Sequence, residues 1–204
     1  MTTPPGTTTS RILVAGIGNI FLGDDAFGSE VAQRLLLLPH EPGVKVVDFG
    51  IRGLDLMYGL GNGWDVAILI DAVPRGDSPG TLFLLEPQID AGDAAGSSPM
   101  LDAHSMDPLK VLRAARSMGT LPRELFIVGC EPSPLVAETE EEMQMEMSPP
   151  VRAAVDEAVL MVQQIVRRLI AARSDKLTPD KLTPEKLISM PLSQAAAHSQ
   201  ELPC

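Results

Sequence analysis

Residues 12–28, ILVAGIGNIFLGDDAFG, constrain the fold of this chain more than any other stretch. An apolar run, a glycine turn, an asparagine and two adjacent carboxylates follow one another and lead into helical spacing. A strand that is apolar at every position has to be covered on both faces, as in a parallel sheet lying between helices. Arg11–Gly16 is therefore read as that strand. Gly28–Leu38 is read as the helix, with Val31, Ala32, Leu35 and Leu38 on one side and Pro39 as its stop.

The same unit recurs downstream. Val44–Phe49 reads as strand two, Leu54–Leu60 as a short helix closed at Gly61, and Val66–Ile70 as strand three. A turn over Gly76–Gly80 leads to strand four, Thr81–Leu85. It follows strand three so closely that an antiparallel partner is expected in this region. Residues 86–103 form a polar loop longer than most connections in a compact domain, a type often reserved for function, and His104 stands at its end. Asp107 as N-cap and Pro108 as the first helical residue open a helix over Leu109–Met118. Leu125–Val128 is strand five, and an acidic loop runs through Glu146. Ser148-Pro149-Pro150 opens a last helix to about Ala172, with Val151, Val155, Val159, Val162 and Val166 along one side. Alternating strands and helices predict an α/β fold, a sheet covered on both faces, in one domain over residues 11–172.

Both tails read differently. Residues 1–10, rich in Thr and Pro, have neither a charged n-region nor an apolar h-region, so a disordered leader is expected and not a secretory signal. Residues 173–204 contain the imperfect repeat KLTPDKLTPEKL, with prolines too frequent for a long helix and apolar residues too sparse for a core. A disordered tail is the expectation there.

Charge and cysteine content narrow the function. A net charge of −11 opposes nucleic acid or an anionic membrane as the main partner. The longest apolar runs fall far below the ~18 residues of a membrane span. Two cysteines, Cys130 and Cys204, suit a reducing compartment better than a structural disulfide, and the cytoplasm is the expected location.

The chemistry is expected where the strands end. In a parallel sheet the C-terminal ends share one edge, so the loops after strands one, two and three would carry Asp24 and Asp25, Asp48 and Asp71 to one crevice. Gly16-Ile17-Gly18 resembles the start of a dinucleotide fingerprint, but the third glycine would fall at Phe21, and the two aspartates would repel a pyrophosphate. Asp25, Asp71 and His104 together offer two carboxylates and an imidazole from three loops, a facial set suited to a divalent ion. Each has a plainer reading when taken alone. Asp24 serves equally well as a cap for the following helix. Asp71 could turn the chain at Val73-Pro74, and a lone His104 would be a solvated loop residue.

The ordered set GIGNxxxxDDxxG from Gly16 to Gly28, Asp48-x-Gly50, Ile70-Asp71-Ala72, His104 and Val128-Gly129 resembles the hydrogenase maturation protease family. The resemblance spans residues 11 to about 172. It implies a three-layer α/β sandwich, with a twisted, mostly parallel five-stranded sheet and helices on both faces. It implies an endopeptidase that removes the C-terminal extension of a [NiFe]-hydrogenase large-subunit precursor once nickel is in place. Nickel carried by the precursor would be contacted by Asp25, Asp71 and His104, with no tightly bound cofactor of the enzyme's own. The carboxylate at Asp48 is linked with activity in the family, which makes Asp48, Asp25 and Asp71 the candidate catalytic acids of an aspartyl-type, monomeric protease. The acidic pair in many members is Asp-Glu, against Asp24-Asp25 here, which shortens reach toward a metal by one methylene. The loop around Asp48–Gly53 also departs from the Gly-Thr-rich version common in the family. Two other functions fit the same residues: a hydrolase with a resident divalent ion, and a non-catalytic nickel-binding chaperone.

Overall fold

A computed structural model describes residues 10–89, 108–134, 146–174 and 182–189. His104, most of the 86–103 loop, nearly all of the leader and most of the tail lie outside the described residues.

Five strands form one sheet: β1 (Ile12–Ile17), β2 (Val44–Gly50), β3 (Val66–Ala72), β4 (Leu82–Leu85) and β5 (Glu124–Cys130), in the order β2-β1-β3-β5-β4. All neighbours are parallel except β4, which runs antiparallel to β5. The antiparallel strand expected close after strand three is thus β4, at an edge of the sheet, while β5 inserts between it and β3. The helices are α1 (Phe27–Leu36), α2 (Gly53–Leu60), α3 (Pro108–Ser117), α4 (Pro149–Ser174) and α5 (Pro184–Ser189).

Strand alternation sorts the apolar residues into two layers. Ile12 and Val14 of β1, Ile68 and Ile70 of β3 and Phe126 and Val128 of β5 pack with Val31 and Leu35 of α1 and with the valine side of α4. Leu13, Ala15, Ala67, Leu69, Leu125 and Ile127 face the other way, toward Leu56 and Leu60 of α2 and Val111 and Leu112 of α3. Burial of both faces accounts for the unbroken apolar runs. Residues 12–17 are all buried.

Two stretches depart from the sequence reading. β3 continues through Asp71, which pairs in register with Gly129 of β5, so this aspartate sits inside the ladder and not after it. In the tail, α5 packs Leu187 fully buried into the α1/α4 layer. The Arg168 guanidinium of α4 bonds the Leu187 carbonyl. One well-placed leucine and a helical arginine hold this short segment, where average composition had pointed to no structure at all.

Candidate active site

Strand β1 is followed in sequence by β2 on one side and has β3 on the other, so the chain direction switches between β1 and β3, and the crevice expected of such a sheet lies beyond the carboxyl ends of these strands. Open α/β sheets bind ligands at this point. Three close approaches build it. A Cβ at Gly28 would lie 2.0 Å from the Ile70 carbonyl oxygen and 2.2 Å from that of Ile17, so only glycine lets α1 settle between β1 and β3. Gly18, at φ 138°, would place a Cβ 1.8 Å from the Asp25 carbonyl oxygen. The Gly18 N–H donates to the Gly50 carbonyl at 3.1 Å and ties the turn after β1 to the end of β2.

That turn carries Ile20, Phe21 and Leu22, all exposed, then a short 3-10 helix over Gly23–Ala26 that packs against β3. The two adjacent aspartates diverge here. Asp25 is exposed, and its carboxylate accepts the Asn19 N–H at 2.8 Å. Asn19 in turn receives the Phe21 N–H on its side-chain oxygen at 3.0 Å, an Asx turn that explains why asparagine follows the second glycine. Asp24 turns away from Asp25 and is bonded to Ser133 and Ser148. It does not cap α1, which has no side-chain cap.

Asp71 is 8% exposed and, by alternation, faces the α2/α3 layer with Leu69. The Gly23–Ala26 turn that bears Asp25 packs against the strand that bears Asp71. Asp48 leaves its strand on the α1 side, where its carboxylate meets the buried Ser29 hydroxyl at 2.8 Å, the Gln33 amide at 3.0 Å and the Gly50 N–H at 3.0 Å. The Asp48 carbonyl and the Arg52 guanidinium are also bonded, which holds the chain after β2. Asp48 and Asp71 thus leave the sheet toward opposite layers. Among the described residues, no three His, Cys, Asp or Glu side chains gather around one ion position. The candidate metal trio includes His104, which lies outside them.

Cys130 ends β5 and Glu131 follows it. Cys130 is fully buried, and desolvation, with the nearby charges of Asp24 and Glu131, pushes its thiol up to about 12. A thiol held protonated at neutral pH is no nucleophile. Glu131, 5% exposed, receives the Arg75 N–H at 2.7 Å and the Gly76 N–H at 3.0 Å. Desolvation works to raise its pKa, but the N–H donors of Arg75, Gly76 and Asp77 and the Arg75 charge prevail, and the carboxyl is held below its ordinary value. The Arg75 guanidinium lies 4.8 Å from the centre of the Phe83 ring. Sequence reading passed over Glu131. Its only signal was an acid at the end of an apolar strand, the same signal that singled out Asp71.

The class the fold defines is a doubly covered, mostly parallel α/β sheet with acidic residues in and after the ends of its central strands. The description "Hydrogenase maturation protease" belongs to the family profile that matches residues 30–165. The Hydrogenase 2 maturation protease of Escherichia coli (strain K12) is 32% identical over 161 residues, covering 77% of this chain and 91% of that protein. The hydrogenase expression/formation protein HupD of Bradyrhizobium diazoefficiens is 30% identical over 166 residues, covering 80% and 81%. Among solved structures, the hydrogenase maturating endopeptidase HybD from E. coli superposes with a TM-score of 0.60 at 29% identity, covering 78% of this chain and 93% of that one. This chain belongs to the hydrogenase maturation protease family, and it is a peptidase. Among the described residues no helix is long and apolar enough to cross a membrane.

Proposed function

We propose that this peptidase removes the C-terminal extension from a nickel-loaded [NiFe]-hydrogenase large-subunit precursor. The observation that carries the reading is the divergence of the acidic pair: Asp24 is consumed by internal hydrogen bonds, whereas Asp25 is exposed on a turn packed against the strand of Asp71. Nickel belongs to the substrate. Asp25, Asp71 and His104 contact it and so hold the scissile bond in the crevice. Positioning of this kind is worth roughly 7–11 kcal/mol at its upper end.

Water is the attacking group, because the one described thiol is buried and protonated. Asp48, named with Asp25 and Asp71 as a candidate catalytic acid, has three of its roughly four lone-pair sites engaged by Ser29, Gln33 and Gly50. Its role in this reading is to hold the end of β2 against α1, and activation of water falls to Asp25 and Asp71 beside the bound metal. The enzyme acts as a cytoplasmic monomer and keeps no tightly bound cofactor.

The test compares cleavage of nickel-loaded and metal-free precursor by the wild type, Asp71→Ala and His104→Ala. The wild type should cut only the loaded form, and both variants should lose most of that activity. Efficient cutting of metal-free precursor by the variants would refute the clamp. Tightly bound metal in the purified enzyme, with activity on short peptides, would instead favour a hydrolase with a resident ion.

A further inference from the structure

Asp24 is among the most heavily bonded side chains near the crevice, and nothing in the proposed reaction uses it. Its Oδ2 accepts the Ser133 N–H at 2.8 Å, and its Oδ1 accepts the Ser148 N–H at 2.6 Å. The Ser148 hydroxyl donates to Oδ2 at 2.9 Å, which leaves the Ser133 hydroxyl to donate to Ser148 Oγ, also at 2.9 Å. One carboxylate therefore joins the turn after β1 to the chain after β5 and to the start of α4.

The start of α4 is built for this contact. Ser148 is its N-cap, since its carbonyl accepts the first helical bond, from Arg152 N–H at 2.9 Å. The next two residues, Pro149 and Pro150, have no N–H to be capped. Of the two positions an N-cap side chain usually serves, Pro150 offers no N–H, and the Ser148 hydroxyl donates its own proton to Asp24. The positive end of a 26-residue helix also favours an anion at this place.

We propose that Asp24 is a positioning residue: its bonds to Ser133 and Ser148 fix the Gly23–Ala26 turn, and that turn aims the adjacent Asp25 into the crevice. Asp25 N–H bonds the Leu22 carbonyl at 2.9 Å within the same turn, so a shift of Asp24 carries Asp25 with it. The inference rests on the reading that Asp25 acts on the substrate.

Steady-state cleavage of nickel-loaded precursor by Asp24→Asn, Ser148→Ala and the double variant tests it. In Asp24→Asn an amide NH₂ faces a backbone N–H, donor against donor. Its kcat should fall about tenfold or more, as expected for a misdirected catalytic group, with KM changed by no more than about twofold. Ser148→Ala keeps the backbone bond and should lose about threefold in kcat, again with KM nearly constant. The double variant should be no slower than Asp24→Asn alone, because the serine hydroxyl works through the carboxylate. Wild-type kcat in Asp24→Asn, a loss confined to KM, or multiplying losses in the double variant would overturn the inference and leave the function intact. If circular dichroism shows Asp24→Asn unfolded, Ser148→Ala decides alone: lowered kcat at constant KM supports the inference, and full kcat overturns it. A wild type unable to cut the precursor overturns the function itself, and this inference with it.

Discussion

The Ser29 hydroxyl on α1 lies 2.8 Å from Asp48 Oδ1 at the end of β2, a contact between a fully buried alcohol and a half-buried carboxylate. The same hydroxyl is 3.1 Å from the Gly18 carbonyl, so one side chain touches the chain at the ends of both β1 and β2. Removing it in Ser29→Ala leaves Asp48 with two donors, the Gln33 amide and the Gly50 N–H. Stability should drop by about 1–3 kcal/mol, the usual range for a buried bond to a charged group. Urea titration checks this, with the midpoint lowered and the slope unchanged.

Glu131 gives a pH dependence with a defined sign. Its carboxyl is held below the ordinary value by the loop donors and by Arg75. A depressed acid contributes stability above its unfolded pKa of about 4.3, and loses it as pH falls through the folded value. The thermal midpoint of Glu131→Gln should therefore lie below that of the wild type at pH 7. The gap should close as both are melted at progressively lower pH below about 4. A gap constant from pH 7 to pH 3 would contradict the role given to the charge.

Cys130 should be silent in chemistry. In a Cys204→Ser background the native protein should resist iodoacetamide at pH 8, and should react once unfolded. Cys130→Ala should keep precursor cleavage within about twofold of the wild type, because a thiol that stays protonated supplies no nucleophile.

Gly28 and Gly119 separate two reasons for glycine. Gly28→Ala forces a Cβ against two backbone carbonyls that cannot step aside, and should cost about 3 kcal/mol or more. Gly119, after α3, has φ +67° and nothing within 4 Å of the place a Cβ would take, so alanine there should cost only about 1–2 kcal/mol of backbone strain. Paired denaturation curves measure both.

Much of this architecture was legible in local pattern. Unbroken apolar runs marked the parallel strands, Pro39, Gly61 and Gly119 marked helix ends, and Pro108 and Pro149 marked helix starts. The short link from β3 to β4 announced the antiparallel strand. What local pattern could not carry was pairing over distance. Asp24 looked like a helix cap because the α1 start is adjacent in sequence, yet its partners lie 109 and 124 residues away. The direction of Asp48 toward Ser29 and Gln33 depended on which layer received α1, a tertiary fact. Leu187 was hidden by the composition around it, since one buried side chain scarcely moves an average.

The sheet order has a consequence for how the chain matures. β3 is flanked by β1 and by β5, never by β4, its successor in sequence, so the middle of the sheet stays open until residues 124–130 have been synthesised. The anchor at Ser148 is added later still. Asp25, Asp48 and Asp71 thus all come earlier in the chain than the strand and the serine that complete their surroundings, so the order of the polypeptide and the order of the site are not the same.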